Sequence, residues 1–149
     1  MTECKHRGTD WLVPLGRLFF ALIFIGAAAG HFSAQTAEMA ASKGVPLPHL
    51  LVPLTGVMCL LGGVSVLLGY KARCGAWLLI AFLVPTTLMM HNFWAAPAAA
   101  YGMQKINFMK NLALIGAALL IAHFGSGPMS LDECGACGGA RQAESGAAP

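Results

Sequence analysis

The sequence predicts an all-α membrane protein, a bundle of four transmembrane helices with both termini on the cytoplasmic side. Three observations predict it. Hydrophobic residues make up 57% of the 149 and charged residues only 10%, against roughly a quarter charged in soluble domains. The apolar residues gather into four runs of membrane-spanning length, about 20 residues each. Lys and Arg are spread unevenly over the connecting loops, which sets orientation.

The runs are, in order, Trp11 to Phe32, Leu50 to Tyr70, Gly75 to Phe93 and Ile106 to Phe124. The first follows Lys5 and Arg7 and is longer than the apolar core of a cleaved signal peptide, so it is read as a retained helix. Pro14 falls in its first turn, where a missing N–H costs little. Gly26 and Gly30 form a GxxxG pattern, and Gly56, Gly62, Gly63 and Gly69 punctuate the second run; small residues let helix backbones approach closely in lipid. Pro85 lies deep in the third run and predicts a kink there. The fourth run is the most polar, with Lys110 and Asn111 in its first turns.

Between the runs, Ala34 to Lys43 reads as a short interfacial helix, ended by Gly44-Val-Pro-Leu-Pro48. Trp94 to Met103 reads as an Ala/Pro-rich connection. The chain then divides into a cytoplasmic N-terminus (1–10), the transmembrane unit (11–124) and a flexible, Gly/Ala-rich cytoplasmic tail (125–149). Lys5, Arg7, Lys71, Arg73 and Arg141 fall on one side, joined by Arg17 if it snorkels; Lys43, Lys105 and Lys110 fall on the other. The richer side is cytoplasmic by the positive-inside rule. A net charge of +3 from scattered basic residues offers no nucleic-acid patch.

This topology collects the unusual chemistry at the outer end. His31 ends the first helix, His49 starts the second, His91 and Asn92 end the third, and Asn107, Lys110 and Asn111 open the fourth. Gln104, Asn107, Lys110 and Asn111 share a helical face. A Lys among amides at the head of an apolar segment is costly to bury, which marks a functional pocket; interfacial or snorkelling residues are the competing reading. A connection from Phe93 to Lys105 containing Pro97 and Gly102 makes neighbours of His91 and Asn111, and Asn111 is expected to find its partner in His91 or Asn92. Arg17 stands at the inner end, placed either to hold a ligand or to reach lipid phosphates.

Five cysteines are present. Cys134 and Cys137 form a CxxC, spaced to share a soft metal such as Cu or Zn or to form a disulfide; a reducing cytoplasm disfavours the disulfide. Met39, Met89, Met90, Met103 and Met109 stand near His31, His49 and His91, a ligand set suited to Cu(I) if they converge. No phosphate-binding glycine pattern, flavin or haem motif occurs, so any electron transfer needs a partner protein.

In order along the chain, Leu15-Gly-Arg-Leu-Phe-Phe, Leu61-Gly-Gly with Leu68-Gly, Lys71-Ala-Arg73, His91-Asn-Phe-Trp94, Phe108-Met-Lys-Asn-Leu-Ala-Leu114 and Ser130-Leu-Asp132 resemble the DoxX family of small four-helix membrane proteins. That resemblance implies the fold and the inner (plasma) membrane. It also implies a link to membrane redox complexes, since the family takes its name from a membrane subunit of a thiosulfate:quinone oxidoreductase. The expected function is thus a membrane subunit of a quinone-linked or thiol/sulfur redox complex. His91 and Lys110 would act on a quinone, within a pocket that His31, His49, Asn92, Asn107 and Asn111 complete. A soluble or membrane redox partner is implied, and a homo-oligomer is open. Copper-type metal handling and a non-catalytic scaffold for soluble proteins are the alternatives. Many relatives carry a glutamate just before the L-x-G-G; Cys59 stands at that place here, so a family mechanism using that acid does not transfer.

Overall fold

A computed structural model describes residues 8–134. Four long apolar helices form an up-and-down bundle, with one short helix across an end. α1 (Leu12–Ala28) continues through a 3-10 turn (Ala29–Phe32) into the short α2 (Ala34–Ser42); α3 (Pro48–Leu68), α4 (Ala72–Met90) and α5 (Ala98–Phe124) complete the bundle, with a second 3-10 turn (Phe93–Ala95) between the last two. All four long elements are long and apolar enough to cross a membrane. α1 packs on α3, α3 on α4, and α4 on α5, while α2 lies against α3. No packing of comparable extent joins α1 to α5 among the described residues. Phe19, Leu61, Leu112 and Leu120 face outward, an apolar exterior that suits lipid.

Capping follows from residue chemistry. Ser33 turns the chain from α1 into α2: its Oγ accepts from the Thr36 N–H at 3.3 Å and donates to the Gly30 carbonyl at 2.9 Å, satisfying a free helix-start donor. Pro48 occupies the first turn of α3, where its lack of an N–H is harmless. Gly69 ends that helix at φ 64°, and Tyr70 N–H donates back to Ser65 O at 3.1 Å, the Schellman pattern.

Glycines seat α3 between its neighbours. A Cβ on Gly62 would lie 2.7 Å from Leu79 and 3.0 Å from the Gly75 carbonyl, and one on Gly56 would lie 2.8 Å from His31 Cβ. The close-approach glycines inside helices are therefore on α3 and α4. Gly26 and Gly30, the GxxxG pair on α1, meet nothing within 4 Å, so that pattern does not mark a contact within the chain. The core joins Phe20, Phe24 and Ala28 of α1 to Cys59 and Val66 of α3, Leu79, Phe82 and Leu83 of α4, and Ala118 of α5.

Two segments depart from the sequence reading. α5 begins at Ala98, not near Ile106. Pro97 supplies an extended residue before the helix, Ala98-Ala99-Ala100 are strong helix formers, and the first polar turns are helical although they are not apolar. The second departure is at the opposite end. The expected flexible tail does not start at Gly125: residues 126–133 fold back onto the bundle. Arg17, 5% exposed, donates from Nη1 to the Ser126 carbonyl at 2.9 Å and from Nη2 to the Met129 carbonyl. Asp132 accepts from the Lys71 N–H at 2.9 Å, and its own N–H donates to Gly69 O at 3.1 Å. Ser130 Oγ accepts from the Glu133 N–H at 3.2 Å while the Glu133 carboxylate accepts from the Met129 N–H at 2.6 Å, a close variant of the capping box.

Candidate functional site

At the end of the bundle opposite Arg17, the long helices stand apart around a cavity of about 570 Å³. Its walls are mostly apolar: Ile23 and Phe24 of α1, Val52 and Met58 of α3, Phe82 and Leu83 of α4. Thr36 and Ala40 of α2 also border it. Its polar lining brings together His31, His91, Lys110 and Asn111, drawn from the 3-10 turn after α1, the C-terminus of α4 and one face of α5.

His31 is held from three directions. Its Nδ1 lies 2.9 Å from the Ala27 carbonyl. Its ring meets Phe82 edge-on at 5.6 Å between centroids, and its Cβ rests over the space Gly56 leaves. His91 is placed by an aromatic clasp: Phe93 meets Phe108 at 5.3 Å and Tyr101 at 5.9 Å, and Trp94 meets Phe108 at 5.8 Å. These rings tie the turn after α4 to the first turns of α5. They set His91 Nδ1 3.0 Å from Gln104 Oε1. Pro85 adds a further feature to the wall, since it has no N–H to give the Ala81 carbonyl, and both residues line the cavity.

α5 supplies the donors. Lys110 Nζ donates to Asn107 Oδ1 at 3.4 Å and stays exposed. Asn111 is only 7% exposed, lines the cavity and makes no side-chain hydrogen bond among the described residues. The expectation that His91 or Asn92 would pair with it is not met, because Gln104 takes the ring. Among the described residues Arg17 Nε is the fully enclosed side-chain polar atom that lacks a partner; the Asn111 amide keeps some access to the cavity, where it can meet a group that enters.

The other expected residues lie elsewhere. His49 is exposed at the start of α3, and Asn92 is half-buried at the head of a 3-10 turn; neither lines the cavity. Asn107 contributes through Lys110. Arg17 is at the far end and spends its charge on backbone carbonyls, so it is no part of this pocket. Met89 and Met90 both line the cavity, but among the described residues no three His, Cys, Asp or Glu side chains converge on a metal position. Cys134 is exposed at the end of the docked segment; Cys137 lies outside the described residues. Gln104, which the sequence places on the polar face of the fourth helix but not among the expected site residues, is the contact that holds His91. Its place three residues before Asn107 was visible, but its pairing with His91 depends on the aromatic clasp.

The DoxX family model matches residues 12–92, the span from α1 to the end of α4. The chain belongs to the DoxX family. It is similar to the inner membrane protein YphA of Escherichia coli, 36% identical over 97 residues, which cover 65% of this chain and 69% of YphA. It is also similar to the inner membrane protein YqjF of the same organism, 28% identical over 120 residues, covering 80% and 88% of the two chains. The ER-derived vesicles protein ERV29 of Saccharomyces cerevisiae is 29% identical over 79 residues, only 26% of its length. No solved structure matches significantly. With four spanning helices and these relatives, this DoxX chain is a multi-pass inner-membrane protein. His31 and His91 fall within the family match, while Lys110 and Asn111 lie beyond it.

Proposed function

We propose that this DoxX protein is the membrane subunit of a quinone-linked redox complex and that the cavity seats the quinone headgroup. The observation that carries this reading is Asn111, a buried, unpartnered amide at the edge of an apolar chamber of about 570 Å³. Such a chamber, apolar with a few convergent polar groups, suits a ring with a hydrocarbon tail, and lipid is the natural source of that ligand. Asn111 and Lys110 supply hydrogen-bond donors to a ring oxygen. His91, anchored through Nδ1 by Gln104, keeps its second nitrogen for a proton passing to or from the ligand. Reduction of a quinone takes up two electrons and two protons. The chain carries no recognisable electron carrier, so the electrons come from a partner protein that oxidises a thiol or sulfur compound.

Orientation belongs to the same reading. The Lys and Arg distribution puts both termini in the cytoplasm, the cavity at the outer leaflet and the Arg17 end at the inner one. The test is mass spectrometry of lipids that copurify with the protein in mild detergent. A benzoquinone or naphthoquinone should accompany the native chain and be lost from Lys110→Met, which should still insert and purify. Unchanged occupancy in His91→Ala, Lys110→Met and Asn111→Leu alike would remove the cavity from consideration.

A further inference from the structure

We infer that the cavity selects the reduced, hydroxyl-bearing form of its ligand, a hydroquinone, over the quinone, and that His31 reads the difference. The inference rests on the quinone reading above and adds the oxidation state that the site prefers.

It starts from which hydrogens are already committed. A backbone carbonyl only accepts, so His31 Nδ1, 2.9 Å from Ala27 O, carries the hydrogen of that bond. In the neutral ring this makes Nε2 a lone-pair acceptor, and no partner takes it among the described residues. The ring cannot easily turn to offer the other nitrogen. Phe82 holds it edge-on at 5.6 Å, and Gly56 leaves its Cβ a close seat on α3. His91 Nδ1 faces the Gln104 side-chain amide at 3.0 Å, a group that can accept or donate and so does not fix the tautomer as a backbone carbonyl does.

Besides the hydroxyls of Thr36, Thr55 and Thr86, the polar lining has two kinds of group on different helices. Histidine on the α1 side offers an acceptor; Asn111 and Lys110 on α5 offer donors. A quinone carries two acceptor oxygens and no donor. It can satisfy the α5 donors but sets an acceptor against the imidazole lone pair. A hydroquinone has an O–H at each end of the ring. One hydroxyl can donate to His31 while the opposite oxygen accepts from Asn111. The arrangement is complementary to the second ligand and only half complementary to the first, and discrimination by one such hydrogen bond amounts to about tenfold in affinity.

The experiment measures binding, not turnover. The full-length protein in nanodiscs is titrated anaerobically with a decyl-substituted benzoquinone, once oxidised and once chemically reduced, and followed by intrinsic tryptophan fluorescence. The reduced form should bind about tenfold more tightly to the native protein. In His31→Leu the ratio of the two affinities should fall towards one. His31→Phe, which keeps a ring against Phe82, should give the same collapse and serves if the leucine variant does not purify. In His31→Gln, which restores an acceptor oxygen, part of the preference should return. If neither form binds the native protein, the quinone reading itself fails and takes this inference with it. If both bind equally, or the oxidised form binds more tightly, the quinone reading stands and the selectivity falls. A preference that survives both His31→Leu and His31→Phe overturns the role of His31.

Discussion

Asn111 carries two N–H donors and a carbonyl into a place where only 7% of its surface remains exposed. That amide has no hydrogen bond to lose in the empty protein and donors to offer a ligand. Asn111→Leu should therefore leave the ligand-free protein about as stable as before, because it breaks no hydrogen bond. Its affinity for the oxidised benzoquinone should fall at least tenfold. Thermal unfolding in detergent, with and without quinone, separates the two effects; a lower melting temperature without ligand would assign the amide a structural partner. At this scale the sequence told a partial story. Polar types at i, i+3 and i+7 showed that Asn111 shares a face with Gln104, Asn107 and Lys110, but which of them His91 would take depended on the edge-to-face contacts of Phe93, Trp94 and Phe108. Cys59, at the place of the family glutamate, is fully buried in the core, where a thiol packs as a small hydrophobe.

The pairing of α3 with α4 depends on the missing side chains of Gly62 and Gly75. With a Cβ at Gly62 brought to 2.7 Å from Leu79, Gly62→Ala forces the helices apart. It should cost about 1–3 kcal/mol, measured as a shift in unfolding by denaturing detergent, whereas Gly26→Ala, which meets nothing within 4 Å, should be nearly silent. The spanning helices were readable because apolar runs of that length have few alternatives. The start of α5 was not. Gln104, Lys105 and Asn107 lower its hydropathy, and a hydropathy reading finds the membrane core of a helix, not its extra-membrane turns. The docked segment 126–133 was also hidden. Its stabilising acceptors are backbone carbonyls, which no side-chain pattern announces, and their donor is Arg17, more than a hundred residues earlier.

For the whole molecule, that long-range contact predicts unequal effects of truncation. A chain ended after Glu133 keeps the bonds of Arg17 and Asp132 and should unfold like the full-length protein. A chain ended at Gly125 leaves the guanidinium with neither carbonyl. Hydrogen bonds to charged groups contribute about 1.5–3 kcal/mol each, so the loss should reach about 3 kcal/mol or more. A double-mutant cycle of Arg17→Met with the Gly125 truncation should show strong coupling; additive losses would mean that the segment docks by other means. Orientation is checked at the same scale. Cys134, exposed on the docked segment, should react in intact cells only with a membrane-permeant thiol reagent. Rapid labelling by an impermeant one would reverse the inside and outside assigned to the bundle.

Arg17 is made on α1, and the carbonyls it donates to are made more than a hundred residues later. Until segment 126–133 has been synthesised the guanidinium has neither acceptor, so this corner of the bundle closes only after α5 has been made.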